Sequence, residues 1–186
     1  MDKETYDSDS SRFVVVCTDT RTGKPVYKDL PELNDAALEW VRASASMPVV
    51  SRAVHIDGYS LLDGGISDSI PVQYARNQGY DRIVTVLTRP KDYVKAPTGH
   101  DHLYGLLLHK YPHVAASLRN RHVVYNRSKK MVHQLGSKGE LCVIYPEKEL
   151  DISRTEHDVA RMDRIYKEGR KRAQAMMPKI RKYLEQ

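Results

Sequence analysis

The stretch that decides the fold is RASASMPVVSRAVHIDGYSLLDGGISDSIP, residues 42–71. Within it, the dipeptide Asp57-Gly58 is typical of a two-residue hairpin turn. Apolar and β-branched residues lie on both sides of this dipeptide, at positions 54–56 and 59–62. The stretch therefore predicts a β-hairpin whose second strand ends at about residue 63.

An acidic residue and two glycines follow the hairpin, in the order Asp63-Gly64-Gly65. Asp63 is predicted to lie where the chain leaves a strand, and the glycines permit backbone angles that a Cβ would forbid. The pattern leaves two interpretations open. Asp-Gly-Gly is ordinary turn chemistry, in which the carboxylate is structural. Alternatively, the carboxylate is a functional group presented at the end of a strand.

The whole stretch resembles the closing motif of the patatin-like phospholipases. The resemblance runs from about Phe13 to Pro90, with weaker similarity towards the C-terminus, and its motifs are Ala43-Ser44-Ala45-Ser46-Met47-Pro48, the hairpin, Asp63-Gly64-Gly65-Ile66 and Ser69-Ile70-Pro71. That family uses a serine–aspartate dyad with the aspartate in an Asp-Gly-Gly or Asp-Gly-Ala turn. The resemblance implies that Asp63 is the catalytic base and that Gly64 and Gly65 shape its turn. It also implies a lipid or other acyl-ester substrate, no metal and no organic cofactor.

The other half of that machinery is absent from these 186 residues. Patatin-like enzymes carry a Gly-x-Ser-x-Gly elbow and a glycine-rich oxyanion loop upstream of the aspartate. Gly58-Tyr59-Ser60 begins like an elbow but lacks the second glycine, which the backbone needs in order to turn sharply beneath the serine. Ser44, Ser46 and Ser60 are therefore poor candidates for the nucleophile. We expect a C-terminal fragment of a serine acyl hydrolase that is inactive alone.

The remaining pattern predicts an α/β fold. Continuous apolar runs at residues 13–18 and 83–87 are typical of strands covered on both faces. Alternation of strands and helices favours a mostly parallel sheet flanked by helices, a partial patatin-like fold with a helical C-terminal extension. We predict three parts: a flexible N-terminal end at 1–11, an α/β domain with the Asp-Gly-Gly motif at 12–100, and a helical, basic extension at 101–186 with one strand near 140–145.

Several smaller elements are also predicted. Asn34 is expected to cap a helix over residues 35–44, and Asp68 to cap a helix that starts at Pro71. The segment 127–130 is interpreted as a basic connector that leads from a helix at 113–126 towards a strand at 141–145. A last helix is expected to begin near Thr155.

Composition restricts the class of protein. Hydrophobic residues make up 40% of the chain and charged residues 29%, with no apolar run long enough to span a membrane. The acidic, polar N-terminus is unlike a secretory signal. Cys17 and Cys142 each lie in an apolar run, which predicts buried free thiols in a reducing compartment. We expect a cytoplasmic protein that can lie at the periphery of a membrane.

Basic residues account for the net charge of +6 and are concentrated at 127–138 and 161–182. The second of these segments alternates basic and apolar residues. One interpretation is a solvated helix whose other side packs on the domain; another is a helix lying on anionic lipid head groups. Nucleic acid is not an expected partner, because no recognition motif accompanies the charge. The competing function is a non-enzymatic basic module that binds an anionic membrane or a protein partner.

Two further expectations concern metals and assembly. His100-x-His102 and His109-x₃-His113 have spacings that metal ligands can use, but Pro112 interrupts the second pair, and no metal site is predicted. The two apolar strands would leave unpaired sheet edges if part of the domain were missing. We therefore expect self-association, or a sheet completed by another chain.

Overall fold

The computed structural model of the chain describes residues 3–99, 101–153 and 155–185, without the side chains of 101–103. It is a mixed α/β protein, which confirms the predicted class. The chain forms two compact units, one of Met1–Pro71 with Lys95–Arg127 and one of Val72–Val94 with Ser128–Gln186. The division predicted from the sequence, at 1–11, 12–100 and 101–186, stays a prediction.

A four-stranded sheet lies at the centre of the first unit. Its strands are β1 (Val14–Asp19), β2 (Pro25–Asp29), β3 (Val54–Ile56) and β4 (Tyr59–Asp63), in the order β2-β1-β4-β3. Every neighbouring pair is antiparallel. The predicted mostly parallel sheet is therefore wrong. The physical reason is that β1–β2 and β3–β4 are joined by tight turns, and parallel strands need a much longer crossover.

Two helices of the first unit lie near this sheet. The first, α1, spans Lys3–Ser8 within the end predicted to be flexible, and Tyr6 there donates a hydrogen bond to the Leu30 carbonyl at 2.5 Å. The second, α2, spans Asp35–Ser44 and is capped by Asn34, whose side chain accepts from Ala37 N at 2.9 Å. Both the bounds and the cap of α2 confirm the sequence prediction. Its buried residues pack on β1, β3 and β4 in one core: Ala37, Trp40 and Ala43 against Val15, Cys17, Val54 and Leu61.

A second core lies beneath the end of β4. Two more helices, α4 (Asp101–Leu107) and α5 (Pro112–Ser137), follow in the chain. Apolar residues from the end of β4, from the segment between the helices and from the first turns of α5 share this core: Leu62, Ile66, Leu108, Val114, Ala115 and Leu118. The predicted connector at 127–130 is wrong, because those residues continue the helix without a break.

The second unit contains the two remaining strands, β5 (Val84–Val86) and β6 (Cys142–Ile144), and the helices α3 (Val72–Asn77) and α6 (Val159–Leu184). The two strands form a parallel pair. The run at 83–87 is not covered on both faces, since the Val86 side chain is 68% exposed. That part of the prediction is wrong.

The last helix starts later than predicted. Asp158 caps α6, accepting from Ala160 N and Arg161 N, whereas Thr155 was the expected start. Gly169 and Pro178 lie inside the helix without ending it. At its C-terminal end, the Tyr183 hydroxyl accepts from Ile83 N at 3.0 Å and so holds the helix to the small sheet. None of the helices in the described part of the chain is long and apolar enough to cross a membrane.

Candidate active site at the Asp63 turn

The backbone of Asp63 is fixed on several sides. Asp63 N donates to the Ser46 carbonyl at 2.8 Å, and the Asp63 carbonyl accepts from Thr18 Oγ1 at 2.8 Å. In the antiparallel register Cys17 lies opposite Asp63. β4 is an interior strand, paired with both β1 and β3, so the end of the strand has little freedom to move.

The side chain of Asp63 turns back onto the next turn of the chain. Its Oδ1 accepts a hydrogen bond from Gly65 N at 2.6 Å and so caps a short 3₁₀ turn, Gly64–Ile66. Within the described residues this is the only hydrogen bond of the carboxylate, which is half-buried. One oxygen is therefore fixed by the backbone, and the other has acceptor capacity left. A purely structural turn would contain the same bond, so both interpretations of Asp63 agree with this geometry.

The surroundings of the two glycines leave little room for a side chain at either position. A Cβ on Gly64 would overlap the backbone carbonyl of Val16 in the neighbouring strand. A Cβ on Gly65 would lie 3.0 Å from Asp63 Oδ1 and 3.4 Å from Arg121 Nη2. Neither glycine has a positive φ, so the expectation that they supply unusual backbone angles is wrong. Close packing excludes a side chain at Gly64, and at Gly65 a side chain would crowd the carboxylate.

The carbonyl of Gly65 is held by two donors. Arg121 Nε, from α5, donates to it at 2.6 Å, and Ser69 Oγ donates at 2.7 Å. Sequence reasoning missed Arg121. It lies far along the chain from Gly65, in a region whose basic residues are typical of a solvated helix, and nothing in its local pattern marks it.

Comparison with known proteins finds matches for two segments of the chain. Residues 1–76 match the family model described as patatin-like phospholipase. This segment belongs to that family. The resemblance seen in the sequence is thus confirmed, although the match lies in the N-terminal part of this chain and ends before the predicted limit at Pro90.

A second match covers residues 111–185, with the model described as a domain of unknown function, DUF6363. Among curated proteins, "Uncharacterized protein YjjU" of Escherichia coli (strain K12) is 41% identical over 61 residues. The aligned region is 32% of this chain and 17% of that protein. The chain therefore spans a small part of the length of this relative.

Cys17 is the nucleophilic side chain nearest in register to Asp63 in the patatin-like segment. Its thiol is fully buried, and Sγ lies 3.7 Å from the Trp40 carbonyl. Burial raises the pKa of the Cys17 thiol to about 12, and the negative charge of Asp63 adds to this effect. A thiol that stays protonated in a buried position is not a nucleophile. Cys17 is free and buried, as the sequence predicts.

The serines near the turn have structural partners. Ser44 Oγ donates to the Val16 carbonyl at 2.8 Å, and Ser46 Oγ donates to the Arg42 carbonyl at 2.8 Å. Ser60 Oγ is buried and makes no hydrogen bond within the described part of the chain. None of the three donates to the Asp63 carboxylate.

Asp68, the second carboxylate of the patatin-like segment near the turn, has a different role from the predicted one. Its Oδ2 accepts from the Tyr27 hydroxyl at 2.6 Å, and its Oδ1 accepts from Ile70 N at 3.3 Å. Ile70 precedes the following helix, which begins at Val72. Asp68 thus links the turn to β2, and the prediction that it caps the first turn of a helix is wrong.

No metal site is found among the residues that the structure describes. They contain no group of three or more His, Cys, Asp or Glu side chains able to hold an ion. His100 lies outside the described residues, and so does the side chain of His102. The pair His109 and His113 therefore has no additional ligand in the described part.

Proposed function

We propose that Asp63 is the catalytic base of a patatin-like serine acyl hydrolase, and that the serine and the oxyanion donors come from residues outside this chain. The serine hydroxyl donates a hydrogen bond to Asp63 Oδ2 and gives up its proton as the oxygen attacks the ester carbonyl. Gly65 N holds Oδ1 at 2.6 Å, which keeps the other oxygen in a fixed direction. The match of residues 1–76 to the patatin-like phospholipase model is the observation that supports the proposal, and the remaining acceptor capacity of Oδ2 is compatible with it.

The substrate class follows from the family match over residues 1–76. Patatin-like phospholipases act on acyl esters of lipids, so we expect a lipid or related ester, with neither a metal nor an organic cofactor. The proton transfer from serine to Asp63 needs neither of them.

The test compares two aspartates in a protein that contains this chain together with an upstream Gly-x-Ser-x-Gly segment. Asp63→Asn removes the base, and we expect kcat for a nitrophenyl ester to fall about a thousandfold or more. Asp68→Asn is the matched control, because it neutralises a carboxylate five residues further on that bonds to Tyr27 and Ile70. Equal activity of the Asp63→Asn variant and the parent protein would show that Asp63 is structural.

The isolated chain gives a second, simpler measurement. Residues 1–186 contain no serine elbow, so we expect no ester turnover above background. Turnover that disappears in Asp63→Asn would show that one of the serines of this chain is a nucleophile. Turnover that survives Asp63→Asn would have to come from a different site.

We also propose a second function, adsorption of α6 to an anionic membrane surface. In the described part of α6 only Ile180 and Tyr183 are buried. Large apolar side chains are exposed along the helix: Val159, Met162, Tyr166, Met177 and Leu184. An exposed helix with both basic and apolar residues is typical of helices that lie at a lipid surface.

The basic residues of α6 differ in whether an acidic residue of the chain neutralises them. Arg161, Arg164 and Lys167 pair with acidic residues of the chain. In the part of the chain that the structure describes, no ion pair is formed by Arg170 and Lys171 in the middle of the helix, nor by Lys179, Arg181 and Lys182 at its end. The last turns of α6 thus supply three of the five basic residues without an ion pair, although basic residues at a helix C-terminus also stabilise the helix itself.

Liposome co-sedimentation tests this second proposal. Lys179→Gln, Arg181→Gln and Lys182→Gln together should weaken binding to phosphatidylserine vesicles at least tenfold, since each basic residue contributes about 1 kcal/mol. The control replaces Arg161, Arg164 and Lys167 by Gln, which changes the net charge by the same amount, and we expect a smaller loss. Equal binding to neutral vesicles would refute the electrostatic mechanism, and so would insensitivity to salt.

A further inference from the structure

Residue 65 connects the patatin-like segment to the segment of unknown function. Arg121 lies within residues 111–185, the range that matches the domain of unknown function, whereas Gly65 lies within residues 1–76. The hydrogen bond from Arg121 Nε to the Gly65 carbonyl, 2.6 Å long, therefore joins two segments that family models treat separately. Both residues belong to the first compact unit.

Both polar groups of Gly65 take part in holding the turn. Its N–H binds the Asp63 carboxylate, and its C=O is bound by Arg121 and by Ser69. A glycine has no side chain to restrict its φ and ψ angles, so its N–H direction is not fixed by local sterics. The hydrogen bonds that Arg121 and Ser69 donate to the Gly65 carbonyl restrict these angles instead. Without them, the N–H would bind the carboxylate less firmly and the direction of Oδ2 would vary.

The helix that carries Arg121 is itself anchored to the first unit. Val114 and Leu118 of α5 are buried against Leu62 and Ile66 at the end of β4. Ser117 Oγ donates to the Gly23 carbonyl at 2.8 Å, in the turn after β1. Residues 114, 118 and 121 recur at the spacing of one helix face, so the packing that buries the first two also directs the third towards the turn.

We propose that Arg121 is a positioning residue for Asp63, and that the first turns of α5 complete the active site of the patatin-like segment. Arg121 acts through Gly65. The Nε–H of Arg121 holds the Gly65 carbonyl in place, and the Gly65 N–H in turn holds Asp63 Oδ1. The catalytic part of this inference rests on the proposed function of Asp63. The positioning part concerns the geometry of the turn and can be tested without any activity.

Two substitutions separate the donor from the charge. In Gln the amide nitrogen is as many bonds from Cβ as Nε is in Arg, so Arg121→Gln keeps a donor at the same position and loses the charge. Arg121→Met keeps a chain of similar length and loses both. Arg127→Met is the control, because Arg127 is an exposed arginine of the same helix.

The first readout is hydrogen exchange of the Gly65 amide in this chain, measured by NMR. We expect exchange to be at least tenfold faster in Arg121→Met, within about threefold of the original rate in Arg121→Gln, and unchanged in Arg127→Met. An unchanged rate in Arg121→Met would overturn the positioning role whether or not Asp63 is catalytic. Equally fast exchange in Arg121→Gln would overturn the hydrogen-bond mechanism.

The second readout is kinetic and uses the longer protein that contains the serine. Misplacement of a catalytic group by about 1 Å can cost on the order of a hundredfold in rate. We expect Arg121→Met to lower kcat by between about tenfold and a hundredfold with KM within about twofold, and Arg121→Gln to restore most of the loss. If exchange responds as expected but Asp63→Asn retains full activity, the proposed function is wrong and the catalytic part of this inference is overturned with it. If Asp63→Asn is inactive but Arg121→Met keeps the original kcat, the role of Arg121 in catalysis is overturned alone.

Discussion

The Asp63 turn and the helix α6 differ in what determines their residues. At the turn, the backbone N–H and C=O of Asp63 are both bonded, and Gly64 lies against the backbone of Val16. In α6 only Ile180 and Tyr183 are buried in its described part, and apart from the adjacent backbone of the helix no described atom lies within 4 Å of where a Cβ on Gly169 would be. Packing against neighbouring residues therefore limits which residues the turn can contain. Along the helix, most positions face solvent or an external surface, and that environment limits them instead. Substitutions of the two glycines measure this difference directly.

The largest effect is expected at the turn. Gly64→Ala would place a Cβ on the Val16 carbonyl, and a backbone group in a sheet cannot move aside cheaply. We expect the free energy of unfolding to fall by about 3 kcal/mol, measured by urea denaturation. Gly65→Ala is the graded control, because its Cβ would meet the side-chain oxygen of Asp63 at 3.0 Å and not backbone of another strand. A loss at Gly64 no larger than that at Gly65 would contradict the close-packing explanation.

How far the sequence predicted the structure depends on the range of the interactions. The hairpin around Asp57-Gly58 and the capped helix α2 were predicted correctly, because turn and capping signals are local. Asp57 and Gly58 both have positive φ, as such a turn requires. The direction of the strands was predicted wrongly. The alternation of strands and helices favoured a parallel sheet, but the short connections β1–β2 and β3–β4 make these pairs antiparallel.

The candidate site was predictable only in part. The family resemblance led to Asp63, Gly64 and Gly65, but the reason given for the glycines was wrong, since the close approach of Val16 comes from another strand. Arg121 was missed for the same reason. A contact between residues far apart in the chain leaves no local signal in one sequence.

The second unit shows a related limit. The apolar run at 83–87 predicted a covered strand, yet Val86 is 68% exposed and β5 pairs only with β6 in the described residues. An apolar pattern indicates that a surface is suited to burial, but it does not show which part of the chain, or which partner, covers that surface. The expected self-association remains a prediction, and light scattering at increasing protein concentration measures it.

The next effect concerns pH and the thiol below the turn. Because burial raises the pKa of Cys17 from 9.0 to about 12, the unfolded state releases the proton first as pH rises. Between these values ionisation favours the unfolded state, so the free energy of unfolding should fall with pH by up to about 1.4 kcal/mol per pH unit. Well below pH 9, from about pH 7 downwards, both states keep the proton and Cys17 adds almost no slope.

Cys17→Ala isolates this contribution from the other groups that titrate at high pH. We expect the variant to show a shallower decline of stability between pH 9 and 11 than the parent chain, whatever its stability at pH 7. Urea denaturation at several pH values measures both slopes. Parallel curves for the two proteins would mean that the thiol is accessible to solvent in the folded state, and would weaken the contrast between a packed turn and an open helix.

The smallest effect is expected in α6, and it has the opposite sign. Gly169 lies in the interior of the helix, and no described residue outside the adjacent helix backbone comes within 4 Å of its missing Cβ, so Gly169→Ala adds a methyl group without a clash. Alanine is more favourable than glycine in a helix interior by about 1 kcal/mol, chiefly because glycine loses more backbone entropy. We expect the helical circular dichroism signal to rise slightly and the unit that contains α6 to gain up to about 1 kcal/mol. A destabilised variant would show that residue 169 packs against a surface, which would remove the difference between the two regions. No change in either quantity would show that the middle of α6 is not helical in solution, and the membrane proposal would then need a helix that forms only on contact with lipid.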